Sequence, residues 1–397
     1  MRELSLTFSD SVFQENFVKK DRDSGSAHVS RREAIGLLGA GAGIGLLSGF
    51  GGDAGLLAAP SQQAGASIAG KVTFPTGAIV RTVLKDISPE TLATGTTLFH
   101  EHLSMGPHPY EPPPTAPVEA DWRENVDWVA EEVKAAAKDG VSCIVSGGTR
   151  DLGQKAADVR RIGELVAPAG VHIVLSDALW TRSAYPQDIA TKPEEQIADE
   201  FVRDAIEQRW GAIGELGSSS TPMHPDERKV FRAMAKVHLR TGLPIYTHIP
   251  HVSCPACALE QLDLLESQGV DLRTACIGHL SDIMDDPRAE IHKAVAKRGA
   301  FVGFDTLGWA TGYLARPEEH LRMILSFLEA GYEDYALFSA DGATRDETKR
   351  NGGPGAYSKV IKVFLPQLRA AGVNEATIHK ILVDNPRRFL AFNPKKV

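Results

Sequence analysis

Beyond about residue 95 the chain alternates between short, almost continuously apolar runs and longer stretches in which apolar positions recur every three or four residues. The first pattern suits strands covered on both faces, and the second suits helices buried along one stripe. Strands are accordingly predicted at 97–100, 141–147, 171–176, 212–216, 244–248, 274–279, 300–305 and 336–340. Helices are predicted between them at 121–138, 151–167, 193–209, 223–241, 256–268, 287–298, 317–330 and 356–371. A final helix near 374–383 is predicted to end before Pro386, whose ring cannot continue a helical ladder. This alternation implies a parallel sheet with right-handed crossovers, and eight repeats imply an α/β fold closed into a single-domain (β/α)8 TIM barrel rather than an open doubly wound sheet. Gly140, Gly170, Gly242, Gly299 and Gly331 each fall between a helix and the next strand, where a helix C-terminal cap is expected. The Pro-rich stretch from Pro107 to Pro117 reads as a loop directly after the first strand.

The first 66 residues follow another pattern. Ser30-Arg31-Arg32-Glu33-Ala34-Ile35 leads into a Gly/Ala/Leu-rich run that carries no charge from Ala34 until Asp53, the order of a twin-arginine export signal. That run is too short and too rich in glycine for a membrane span. Ala64-Gly65-Ala66 offers a small-residue cleavage site, so residues 1–66 are expected to be a twin-arginine signal peptide and linker, and 67–397 the mature domain. The implied partner is the twin-arginine export machinery and the implied location periplasmic or secreted, with no membrane integration once the signal is removed.

Composition narrows the class further. With 43% hydrophobic and 24% charged residues the chain is an ordinary globular protein. A net charge of -8 gives no basic field for phosphate backbones, which argues against a nucleic-acid partner. Four cysteines are too few for a disulfide scaffold in 397 residues. Cys254-Pro255-Ala256-Cys257 has the spacing of a dithiol motif but opens the helix after the fifth strand without the fold that motif requires. A reversible disulfide formed after export remains open for this pair.

Candidate chemistry is concentrated at strand ends. His100-Glu101-His102 closes the first strand, and its His-x-His spacing puts both imidazoles on one face of an extended segment. Glu215 ends the fourth strand, His248 the fifth and His279 the sixth, and Asp341 follows the eighth. The C-terminal ends of barrel strands converge around the axis, so these side chains are predicted to meet in one pocket. Alone, a strand histidine is ordinarily a hydrogen-bonded core residue, and a strand-end carboxylate ordinarily caps the next helix. Together they are costly to desolvate without a cation, and imidazole with carboxylate suits zinc, manganese, cobalt or iron better than calcium or magnesium.

Thr97-Leu98-Phe99-His100-Glu101-His102 resembles the N-terminal signature of the phosphotriesterase family of the amidohydrolase superfamily. Thr241-Gly242-Leu243-Pro244-Ile245-Tyr246-Thr247-His248, Ile277-Gly278-His279 and Asn385-Pro386-Arg387-Arg388-Phe389-Leu390 resemble its later motifs in the right order. The resemblance implies two divalent ions, zinc first, with manganese, cobalt or iron as alternatives. His100, His102 and Asp341 would hold the more buried ion, and His248 and His279 the other. The best-known members bridge the ions with a carboxylated lysine at the end of strand four. This chain reads Ala212-Ile213-Gly214-Glu215 there, so Glu215 is expected to bridge without carbon dioxide. The resemblance also implies a homodimer.

The implied function is a binuclear metal-dependent hydrolase of ester bonds in a small-molecule substrate (lactone, carboxylic ester or phosphoester). It would act through a metal-bridging hydroxide, with Asp341 as catalytic proton acceptor. The alternatives are an amidase using the same centre and a non-catalytic small-molecule-binding barrel. Organophosphate-degrading members carry a histidine after the aspartate ending strand seven, and lactonases often an arginine, whereas this chain has Phe304-Asp305-Thr306. In loop eight, Arg345, Lys349 and Gly352-Gly353-Pro354-Gly355 resemble a branch acting on phosphorylated sugar lactones, but Asp346, Glu347 and Thr348 replace its aromatic positions. Trp180, Trp309 and Tyr313 are candidates to line the pocket mouth, and His251, Arg345 and Lys349 candidates to contact substrate.

Overall fold

Each predicted apolar run is a strand in the computed structural model, which describes residues 72–106, 121–308 and 315–396. The export segment, the Pro-rich loop, Trp309 and Tyr313 lie outside the described residues. The strands are β1 (Thr96–Glu101), β2 (Val141–Ser146), β3 (His172–Asp177), β4 (Ala212–Gly217), β5 (Ile245–His248), β6 (Ala275–Ile277), β7 (Phe301–Phe304) and β8 (Ala336–Phe338). They form one eight-stranded sheet in which chain order equals spatial order, and every neighbouring pair is parallel. The ends meet at a seam where the His100 N–H donates to Ser339 Oγ (3.2 Å) and the Asp341 N–H donates to the His100 carbonyl (3.2 Å). The result is a barrel-like parallel sheet ringed by helices, the (β/α)8 arrangement read from the alternation.

Two apolar layers hold it together. Phe99, Val145, Val174, Tyr246, Cys276 and Leu337 fill the interior, and Leu92, Phe389 and Leu390 belong to the same buried cluster. Leu98, Ile144, Ile173, Ile213, Ile245, Ile277 and Val302 face outward and pack against the helices. Strands buried on both faces are why these runs show no polar alternation. Full burial of one large apolar side chain contributes about 1.5–3 kcal/mol, so this double layer is the main source of stability.

The crossover helices are α1 (Val126–Lys138), α2 (Ala156–Val166), α3 (Glu194–Glu207), α4 (Pro225–Thr241), α5 (Pro255–Ser267), α6 (Glu290–Lys297) and α7 (Pro317–Glu329). The five glycines expected as caps all have positive φ, between 79° and 98°, a region that side chains with a Cβ avoid. Among the described residues no helix is long and apolar enough to cross a membrane. The C-terminal helices differ from expectation. Helix continues past Pro386, through a π-turn at Lys380–Asp384 into Asn385–Leu390, and a second π-turn at Val360–Phe364 precedes Leu365–Ala370, which contains Pro366. The wider π-turn relieves the missing N–H and ring clash that would end an α-helix at proline. Asn385 Nδ2 then donates to the carbonyls of Glu333 (2.7 Å) and Ala336 (2.9 Å), tying this helix to the start of β8.

Candidate metal centre

Backbone irregularities aim the side chains. Leu98 packs outward and Phe99 inward, so plain alternation would turn His100 out of the barrel. The register of β1 against β2 shifts between Leu98 and Glu101, and the extra residue turns His100 inward. In β4, Ile213 and Leu216 both face the helices although three apart, the register against β5 shifts between them, and Glu215 lands inside. His279 and Asp341 both have φ of 55°, a left-handed conformation uncommon for side chains with a Cβ. The His279 N–H is held by Asp305 Oδ1 at 2.7 Å. Room is made by glycine: a Cβ on Gly147 would come within 2.2 Å of His100 Cδ2.

His100, His102, Glu215, His248, His279 and Asp341 converge as the strand ends predict. Donor atoms of His100, His102, Glu215 and Asp341 all lie within 4.8 Å of one another, as do those of His248, His251 and His279. Glu215 stands between the two groups. Its Oε1 faces His102 Nε2 (3.5 Å), while its Oε2 faces His248 Nδ1 (2.9 Å) and His279 Nε2 (3.3 Å). Asp341 Oδ1 faces His102 Nε2 (2.9 Å) and His100 Nε2 (3.2 Å), and its Oδ2 lies 3.9 Å from His279 Nε2. The Asp341 side chain is 12% exposed where those of His100 and His279 are 0%, so the cluster opens to solvent at Asp341.

The electrostatics favour a cation. Burial lowers the His100 pKa, yet the carboxylates of Asp341 and Glu215 outweigh it and raise the ring to about 10. His279 is raised well above its ordinary value in the same way, against burial, by Asp305 and Asp341. Burial would raise Glu215 and Asp341, but the surrounding imidazoles hold both below the usual carboxylate range. His248 is pushed down to about 4, by burial and by its neighbour His279. Although fully buried, His100 Nε2 has no hydrogen-bond partner among the described residues and faces two carboxylates. An orphaned nitrogen in an anionic cradle of imidazole and carboxylate donors fits a divalent transition ion.

Two functional residues escaped the sequence reading. Asp305, at the end of β7, touches histidines of both groups, His100 Nδ1 at 2.9 Å and His279 Nδ1 at 3.2 Å. These contacts orient both rings, as carboxylates behind metal-binding histidines do. Its strand-end position was the available signal. Glu101 points away from the cluster, where Oε1 accepts from Ser339 Oγ (2.8 Å) and the Ala340 N–H (2.9 Å), and Oε2 from the Gly342 N–H (2.9 Å). Burial pushes its carboxyl up to about 7 against these bonds, and the arrangement locks the backbone that carries Asp341.

The expected substrate contacts divide. The Trp180 ring meets His248 edge-on at 5.0 Å, and His251 lies 4.4 Å from the His279 ring, so both border the cluster. His251 Nδ1 is held by Asp282 Oδ2 at 2.8 Å, and its Nε2 lies 3.8 Å from Asp341 Oδ2. Arg345 instead lies over the Trp128 ring on α1, and exposed Lys349 packs beside Gly355, both outside the cluster. Cys254 and Cys257 are joined by a disulfide at the start of α5, just after the His251 loop.

A barrel with imidazole and carboxylate donors gathered at its C-terminal strand ends is the architecture of a metal-dependent hydrolase. Residues 79–390 match the model of the phosphotriesterase family, and the chain belongs to that family, whose members are binuclear metal-dependent hydrolases. It is 31% identical over 312 residues to a phosphotriesterase homology protein of Escherichia coli K12, covering 75% of this chain and 98% of the relative. It is 28% identical over 352 residues to an N-acetyltaurine hydrolase of Tetraodon nigroviridis, covering 79% and 98%. Among solved structures, a lactonase from Listeria monocytogenes superposes with a TM-score of 0.68 at 25% identity, covering 79% of this chain and 99% of that one.

Proposed function

We propose that the mature domain hydrolyses an ester bond, in a lactone, carboxylic ester or phosphoester, at a centre of two divalent ions, zinc first. His100, His102 and Asp341 would hold one ion and His248 and His279 the other, with Glu215, which lies beside both sets, contributing to each. The observation that carries this reading is that the Glu215 carboxylate touches both histidine groups, Oε1 beside His102 and Oε2 beside His248, His279 and, at 3.6 Å, His100. Bound there, the ions supply Lewis acidity and an acidified water. Asp341, open to solvent, takes the proton of the attacking water. His251 stands next in line, with its Nδ1 held by Asp282, which also accepts from Thr306 Oγ1 at 2.7 Å. Trp180 walls the second histidine pair and limits access of bulk water.

Amide hydrolysis is the second reading, favoured by the similarity to N-acetyltaurine hydrolases, and it uses the same residues. The test is turnover of a lactone, an aryl ester, an aryl phosphotriester and an N-acyl amide by metal-loaded protein, with and without chelator. Chelator-sensitive turnover of an ester is the expected result. Turnover of the amide alone selects the second reading, and no turnover despite bound metal selects a binding protein. We also propose export by the twin-arginine route to the periplasm and assembly as a homodimer.

A further inference from the structure

Arg123 precedes α1, in the connection that follows β1. Asp121 binds one edge of its guanidinium, accepting from the backbone N–H and Nε at 2.8 Å each and from Nη2 at 2.5 Å. The side chain is 16% exposed, yet Nη1 has no hydrogen-bond partner among the described residues. Nη1 lies 3.2 Å from the point where a Cβ on Gly342 would stand, and His102 Cδ2 lies 3.7 Å from the same point. The free edge of the guanidinium therefore looks onto the backbone next to Asp341 and onto His102. Gly342, with φ of 90°, puts no side chain between that edge and His102. Its N–H is fixed on Glu101, so the opening does not depend on a loose loop.

Three neighbouring cations are engaged elsewhere. Buried Lys359 pairs with Glu347 at 3.3 Å, and Arg345 and Arg350 lie over the Trp128 ring of α1. A guanidinium clamped on one edge and open on the other presents two N–H groups in a fixed fork that matches a planar or tetrahedral oxyanion. Asp121 sets the direction of that fork and balances the Arg123 charge.

We propose that Arg123 anchors an anionic group of the substrate, a carboxylate or sulfonate, and so restricts the centre to small acids whose anion lies a few bonds from the cleaved carbonyl. This rests on the hydrolase reading above, and it names the substrate class. Arg123 is a specificity residue: it holds the end of the molecule that does not react and fixes the distance at which the carbonyl meets Asp341.

The experiment is calorimetric titration of metal-loaded protein with non-hydrolysable ketones, 5-oxohexanoate against neutral 5-oxohexanamide, with 4-oxopentane-1-sulfonate as the sulfonate arm. The parent protein is expected to prefer an anion over the amide by about 10- to 100-fold, the range of a charge-assisted hydrogen bond. The tighter of the two anions names the natural group. Arg123→Met should abolish the preference, and Arg123→Lys should keep part of it. Equal binding of anions and amide by the parent, or a preference that persists in Arg123→Met, overturns the anchor, the second result assigning the anion to the metal centre instead. Should Arg123→Met fail to fold, Asp121→Asn decides. Freeing the clamped edge should strengthen anion binding, and an unchanged or smaller preference overturns the proposal. Turnover by the parent protein reports separately: no anion preference in the parent, with its chelator-sensitive turnover intact, overturns the anchor alone. An intact preference without turnover on any ester or amide overturns the hydrolase reading alone.

Discussion

Glu215→Gln removes one negative charge and alters almost nothing in shape, which makes it the sharpest probe of the proposed centre. The carboxylate lies 2.9–3.6 Å from ring nitrogens of His100, His102, His248 and His279, so a bridging position touches both proposed ions. At an effective dielectric of about 20, one unit-charge pair about 4 Å apart is worth roughly 4 kcal/mol. A carboxylate between two dications makes about four such unit pairs. Even if relaxation and the amide oxygen recover three quarters of that, roughly 4 kcal/mol remains, a weakening of about a thousandfold. At micromolar free metal the variant should fall from two ions per chain to one or none, with activity down about 100-fold or more. Elemental analysis after dialysis against buffered metal, with chelator competition, reads the occupancy. Glu215→Lys should recover metal and some activity only when bicarbonate is supplied during refolding, because a carbamate must form to bridge. Full metal content and activity in Glu215→Gln would make Glu215 a mere strand-end polar residue and remove the bridge from the proposal.

Metal uptake should release protons. His100, raised to about 10, and His279, raised well above its ordinary value, are both protonated at pH 7 without metal, whereas ligation needs neutral imidazole. Calorimetry in buffers of different ionisation enthalpy should find about two protons released per loaded chain, with apparent affinity rising with pH up to about 10, and pH-independent binding would refute the assignment. Gly147→Ala places a Cβ within 2.2 Å of His100 Cδ2, so His100 must move, and metal content should drop with the fold retained by circular dichroism. Normal metal loading in that variant would mean that the His100 position is not restricted. Changing Arg31 and Arg32 together to Lys should leave unprocessed precursor in the cytoplasm, as fractionation would detect, and unaffected export would point to another route.

The strands were legible because a doubly buried strand must be apolar throughout, and such runs stand out between amphipathic stretches. The convergence of His100, Glu215, His248, His279 and Asp341 followed from barrel geometry alone, since every strand delivers its last residue to one rim. The aiming of these residues was not legible. Alternation would have turned His100 outward, and only the register shifts in β1 and β4, which no residue pattern announces, bring it and Glu215 inside. The helix through Pro386 was cut short on paper because proline ends an α ladder but not a π-turn. Arg345 and Lys349 were named from their place in loop eight, and their described contacts are with Trp128 and beside Gly355 rather than with the cluster. The proposed anchor Arg123 carries no motif in the sequence, standing between a Pro-rich stretch and a helix cap.

The seam between the first and last strands is stitched by the groups that hold the proposed centre. His100 and Asp341 supply its backbone bonds, and Glu101, between two proposed ligands, accepts from Ser339, Ala340 and Gly342. Nearly the whole described domain separates these strands along the chain, so theirs is the least local pairing of the barrel and its closure carries a loop entropy cost. An ion held by the proposed ligands on both sides of the seam would act as a clasp. At a free concentration a hundred times its dissociation constant it adds about 2.7 kcal/mol to the closed form. The metal would then guard the ring's integrity as well as its chemistry. Amide hydrogen exchange after chelation should spread outward from this one junction, while the β2–β5 side of the barrel stays protected.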